Sequence, residues 1–70
     1  MTSFMTITLN GDPYDVPAPV TVTALLESLD IDARRVAVEH NLVIIKRAAF
    51  DQIVVREGDT VEIVNFVGGG

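Results

Sequence analysis

Apolar and polar residues alternate near both ends of the chain, and only between positions 21 and 29 do they recur at helical spacing. Met5, Ile7 and Leu9 alternate with Thr6 and Thr8, the period-two pattern of a strand with one buried face. Asn10-Gly11 follows, a pair that accepts positive φ at both centres of a tight hairpin. Tyr14-Asp15-Val16 reads as the return strand, closed by Pro17 and Pro19, which cannot donate to a ladder. Thr21 stands where an N-cap would accept from the amides of a first helical turn. Val22, Leu25, Leu26 and Leu29 then fall at i, i+3, i+4 and i+7, one apolar stripe of a short helix of about two to three turns. The stripe lapses at Asp30. A helix that short has no stability alone, so its leucines must pack on a sheet.

Strand character returns at Val36 and Val38, turns near His40-Asn41, and resumes at Val43-Ile44-Ile45. Ala48 to Ile53 reads as a single turn anchored by Phe50, and Glu57-Gly58-Asp59 as another turn. Thr60 to Val67 is a β-rich run suited to a central strand. The order is strand, strand, helix, strand, short strand, strand. That order predicts an α+β fold, a mixed sheet of about four to five strands on one face of a short helix. A β-grasp, ubiquitin-like roll has this element order, whereas a ferredoxin-like fold needs a second helix. The expected organisation is one domain over residues 1–67 and a glycine tail over residues 68–70.

Composition narrows the function. With 49% apolar residues in a 70-residue chain, a compact domain is expected and intrinsic disorder is not. Ten acidic residues against five basic ones give a net charge of −5, which argues against neutralising nucleic-acid phosphates. No apolar run approaches the ~18 residues that span a bilayer. The N-terminus Met1-Thr2-Ser3-Phe4 lacks the basic and apolar regions of a secretion signal. A cytoplasmic protein is therefore expected. The absence of cysteine excludes disulfides and thiolate metal sites. His40 is the one histidine, so no histidine metal set can form; a lone turn histidine is expected on the solvated surface. Ser3 and Ser28 have no evident base beside them. Asp12, Glu57 and Asp59 read as turn formers, and Asp30 and Asp32 as the close of the helix. Nothing here assembles a catalytic centre, and no metal or cofactor is expected on the chain itself.

Attention then falls on Gly68-Gly69-Gly70, which follow Val67 directly and end the sequence. The plain reading is a disordered end. The functional reading is chemical: a terminal carboxylate, with its pKa of about 3.3–3.7, is ionised and can attack the α-phosphate of ATP. Gly68 and Gly69, lacking Cβ, suit threading into a narrow channel. Ordering three tail residues costs roughly 3–6 kcal/mol, which only a partner docked on the folded body can offset. If Val61 and Ile63 face the core, Val64 and Phe66 lie on the opposite face beside the tail, either exposed as the candidates for that docking or covered by the helix or a neighbouring strand.

"VAVEHN", Arg47 and "REGDTVEIVNFVGGG" resemble the sulfur carrier protein of thiamine biosynthesis (ThiS-like), and the similarity runs from "TVTALLESL" to the last residue. The resemblance implies a β-grasp fold and a protein co-substrate rather than an enzyme. It implies that an adenylyltransferase related to ubiquitin-activating enzymes (ThiF-like) uses ATP to adenylate Gly70. A persulfide donor fed by a cysteine desulfurase then leaves sulfur on Gly70 as 1-thioglycine, a thiocarboxylate, and thiazole synthase (ThiG-like) accepts it. Gly69 and Gly70 correspond to the family's terminal Gly-Gly. Two readings stand beside it: a carrier of another pathway, such as the molybdopterin synthase small subunit, and a non-catalytic ubiquitin-like binding or modifier module. The chain departs from the family where Asn41-Leu42 replaces the usual Asn-Gly turn and Lys46 a common proline.

Overall fold

The structure, a computed structural model, describes residues 3–66. It contains β1 (Phe4–Leu9), β2 (Asp12–Pro17), β3 (Val20–Thr21), α1 (Val22–Ser28), β4 (Val36–His40), β5 (Val43–Ile45), β6 (Val54–Val55) and β7 (Thr60–Asn65). Two single 3-10 turns, Ala33–Arg35 and Arg47–Ala49, join them. Five strands form one mixed sheet in the order β2-β1-β7-β4-β5. Only β1 and β7 run parallel; the other neighbours are antiparallel. β3 and β6 form a separate two-stranded ladder. The α+β, β-grasp arrangement expected from the element order is the one found, with β7 at the centre.

The first hairpin is tight because Asn10 (φ 50°) and Gly11 (φ 87°) both accept left-handed backbone, so Leu9 pairs directly with Asp12. The return strand thus starts two residues earlier than the apolar pattern suggests, and Asp12 is a strand residue rather than a turn former. In α1 the hydroxyl of Thr21 accepts from the Ala24 amide at 3.1 Å, the N-cap the sequence predicts. Asp30 follows the helix in left-handed conformation at φ 59°.

The core lies between α1 and the inward face of the sheet. Val22, Leu25 and Leu26 from the helix meet Met5 and Ile7 of β1, Val16 of β2, Val36 and Val38 of β4 and Val61 of β7, with Phe50 and Val55 completing it. Every buried residue is apolar, and no buried side-chain polar atom lacks a partner among the described residues. Leu29, the fourth residue of the helical stripe, is half-buried and packs against this core. Phe50 anchors its turn as expected. The β3–β6 ladder, two residues long on each side, leaves no signal in the sequence; it holds the segment leading into α1, the Thr21 cap included, to the segment before the last turn, with the Val22 amide donating to the Ile53 carbonyl at 3.0 Å.

Candidate functional site

Gly68, Gly69 and Gly70, to which the sequence assigns the chemistry, lie outside the described residues, as does Val67. The structure describes what presents them: the last turn of chain leaving the sheet through β7. That strand is anchored on one side by β4, from His40 opposite Val61 to Val36 opposite Asn65. One further bond, from the Phe66 amide to the Arg35 carbonyl at 2.9 Å, carries the pairing past the strand. On its other side β1 accompanies only the first part of β7, pairing Thr8 with Thr60 and Leu9 with Val61. There the Asn10 amide donates to the Val61 carbonyl at 2.9 Å. Asn10 also extends its side chain past the turn, and its Oδ1 accepts from the Ile63 amide at 2.7 Å. The outgoing end of β7 is therefore fixed in direction by backbone bonds to β4 on one side and by the Asn10 side chain on the other.

Alternation along β7 sorts its side chains. Val61 is fully buried and Ile63 half-buried on the helix side, whereas Val64 and Phe66 are each 59% exposed on the outward face. Of the two dispositions the sequence pattern allows, exposed or covered, the exposed one is found. Neighbouring strands extend the face: Ala37 stands opposite Val64, and Glu39 stands opposite both Glu62 and Ile44. Ile44 is 72% exposed. The outward face thus combines large apolar side chains with two carboxylates.

The start of β7 is held by a polar cluster that sequence reasoning did not find. His40 Nε2 lies 2.7 Å from Asp59 Oδ2, and that same oxygen accepts from the Arg56 amide at 2.8 Å. His40 is only 18% exposed in its side chain, so it is not the solvated turn residue the sequence suggested. It ends β4 where that strand meets the turn before β7, and the fold brings Asp59 to it across 19 residues of sequence. Partial burial raises the Asp59 pKa, but the bonds from His40, the Arg56 amide and the Asn41 side chain outweigh it and leave the carboxyl below its ordinary range. Asn41 Oδ1 also accepts from the Thr60 amide at 2.9 Å. Glu57, on the same turn, accepts from the Thr6 amide at 2.9 Å through Oε2 and so ties the turn to β1. These groups are structural ties between β1, β4 and β7.

No group of three or more His, Asp or Glu among the described residues is arranged to hold a metal ion. No described helix is long and apolar enough to cross a membrane. An open cleft of about 430 Å³ between Phe4, Ala18, Pro19 and Val55 lies at the far end of the sheet from the β7 outlet. It brings no set of convergent reactive groups together.

The sequence model of the ThiS family matches residues 7–70, from inside β1 through the glycines. The chain belongs to the ThiS family. Its fold agrees with the crystal structure of the thiamine biosynthesis protein ThiS of Geobacter metallireducens. The TM-score is 0.83 at 42% sequence identity, over 94% of this chain and 100% of that one. Over 66 residues it is 46% identical to a thiazole synthase of Paramagnetospirillum magneticum, covering 94% of this chain but 20% of that protein. A thiazole synthase of Magnetococcus marinus gives 39% over the same shares. This ThiS-family chain therefore spans about one fifth of the length of the thiazole synthases it matches.

Proposed function

We propose that this protein is the sulfur carrier of thiamine (thiazole) biosynthesis, working as a protein co-substrate with Gly70 as its reactive end. The observation that carries the reading is the family match itself, which runs unbroken through Gly68, Gly69 and Gly70. In this reading the Gly70 carboxylate attacks the α-phosphate of ATP on a ThiF-like adenylyltransferase, and pyrophosphate leaves. The terminal sulfur of a persulfide donor, supplied by a cysteine desulfurase, then displaces AMP. Cleavage of the sulfur–sulfur bond by a thiol leaves 1-thioglycine at Gly70, and thiazole synthase takes up that sulfur. The body supplies recognition. β7 aims the tail, the glycines pass where a Cβ would clash, and Val64 and Phe66 offer apolar surface beside the outlet. Docking there offsets the roughly 3–6 kcal/mol needed to order three tail residues. With no cysteine in the chain, no internal thiol competes for the activated carbonyl. The chain needs no cofactor of its own, ATP being consumed on the partner, and the reading places it in the cytoplasm.

Tandem mass spectrometry of the C-terminal fragment of protein purified from its own cells tests this. Both methionines, Met1 and Met5, are absent from that fragment, so their oxidation cannot imitate the exchange of oxygen for sulfur. Sulfur on Gly70 is the expected result. A plain carboxylate after incubation with the adenylyltransferase, ATP and a persulfide donor would leave the binding-module reading in its place.

A further inference from the structure

We propose that the outward face of the sheet docks thiazole synthase by receiving one arginine or lysine side chain of that enzyme. Its aliphatic stem lies on Ala37 and Val64, and its charge sits between the carboxylates of Glu39 and Glu62. The proposal rests on the sulfur-carrier reading above and specifies how the acceptor is held.

The register builds the site in rows. Ile44, Glu39 and Glu62 stand side by side across β5, β4 and β7. The next row toward the tail pairs Ala37 with Val64, and Phe66 stands beyond it opposite Arg35. Ala37 carries a single methyl group, so this second row is low between its larger neighbours. Helix α1 covers the other face of the sheet, while Ile44, Val64 and Phe66 remain exposed on this one.

Like charges directly opposite one another destabilise an antiparallel pair. Glu39 and Glu62 occupy such positions on two interior strands of the sheet. None of the five cations relieves them: the ion pairs among the described residues are Arg34–Asp32, Arg35–Asp32 and His40–Asp59. Two like charges thus stand opposite one another on the face that also exposes large apolar residues. A cation with a long apolar stem complements both features at once, because such a stem packs on apolar surface while its head meets the carboxylates. The planar arginine fork can bond two carboxylate groups together. The chain's net charge of −5 favours encounter with a basic surface. Thiazole synthase is the occupant because the synthases matched at 46% and 39% identity carry a segment similar to this chain within one longer polypeptide. Sharing a polypeptide keeps the module and the remainder at high effective concentration.

The test uses the full chain and purified thiazole synthase from the same organism, with affinity read by titration calorimetry at low and high salt. The double variant Glu39→Gln/Glu62→Gln is compared with Glu27→Gln/Asp30→Asn, which removes equal charge at the end of the helix. The first is expected to bind at least about tenfold more weakly and to lose most of the salt dependence. Its melting temperature is expected to be unchanged or higher, because a repulsion has been removed. The second variant is expected to stay within about twofold of the parent. Ala37→Leu, which fills the low row and keeps both carboxylates, is expected to weaken binding comparably. Retained affinity in the first variant, an equal loss in the helix-end variant, or a lowered melting temperature in the first variant would each overturn the proposal. So would a loss seen only against the adenylyltransferase. Fragment mass spectrometry on the same samples separates the two readings. Sulfur on Gly70 without synthase binding by the parent refutes the docking and leaves the carrier intact, whereas Gly70 without sulfur removes the carrier reading beneath it.

Discussion

Asp59 is the residue whose environment most changes its chemistry at the base of the central strand. Its Oδ2 receives both His40 and the Arg56 amide, and the carboxylate is held ionised below its usual range. A folded-state pKa below the unfolded value of about 3.9 means that the stabilisation is complete above that pH. It is lost as pH falls through the folded value. Asp59→Asn is therefore expected to flatten the acid limb of a plot of melting temperature against pH below about pH 4. At neutral pH it should cost about 1–3 kcal/mol. An unchanged acid limb would show that these bonds give the folded state no preference for the ionised carboxyl. The acid dependence that remains belongs partly to Asp32. The Arg34 side chain and amide hold that carboxyl at about 2, through bonds of 2.9 Å to the amide and 2.9 Å to the guanidinium. Neither arrangement was legible beforehand as a charged site. In sequence Asp32 reads only as a polar end to the helix, and the partner of Asp59 lies 19 residues away.

At the scale of elements, the β4–β5 hairpin shows how a poor turn residue is tolerated when the strands decide the register. Asn41 and Leu42 take φ of 51° and 71°, the double left-handed conformation of a two-residue turn, in which a leucine is unfavourable by about 1–2 kcal/mol. Leu42 gains little in return, being 81% exposed. The turn forms because Val38 opposite Ile45 and His40 opposite Val43 keep Val38 buried, and a slip of one residue would turn that valine to solvent. Leu42→Gly is expected to stabilise the domain by up to about 1 kcal/mol, measured as a rise in the denaturant midpoint at constant slope. A fall would mean that Leu42 contributes packing not evident in its exposure. The departure from Asn-Gly was visible in the sequence, but whether the hairpin would keep its register depended on pairing with β7. By contrast the β3–β6 ladder, two residues on each side, is too short to leave any periodicity.

In the whole molecule, the proposed function places stability and chemistry in different parts. Among the described residues the core is eleven buried apolar side chains between one helix and one sheet face, whereas the reactive end proposed above follows the last strand. Substitutions should separate accordingly. Gly69→Val is expected to leave the melting temperature unchanged and to slow adenylation of Gly70 by about 100-fold, since misplacing a reacting group by an ångström has that order of effect. Leu25→Ala, at a fully buried site, should cost ~2–5 kcal/mol of a total of about 5–15, with adenylation per folded molecule preserved. Pyrophosphate release assayed beside a thermal melt checks both. Normal adenylation of Gly69→Val would refute the narrow-channel argument.

Local chemistry sufficed for what depends on near neighbours. The Asn10-Gly11 hairpin, the Thr21 cap and the Val22-Leu25-Leu26 stripe follow from spacing within a few residues, as does the outward aim of Val64 and Phe66 once Val61 and Ile63 face the core. The α+β class follows because one short apolar helix cannot be buried except against the strands around it. Tertiary structure alone decided which strands became neighbours. Strand register is set by burying one face of the whole sheet, a non-local condition, so it alone could place Glu39 opposite Glu62, bring His40 to Asp59, and let Asn10 reach Ile63. Those juxtapositions make the face proposed above for docking and fix the outgoing end of β7.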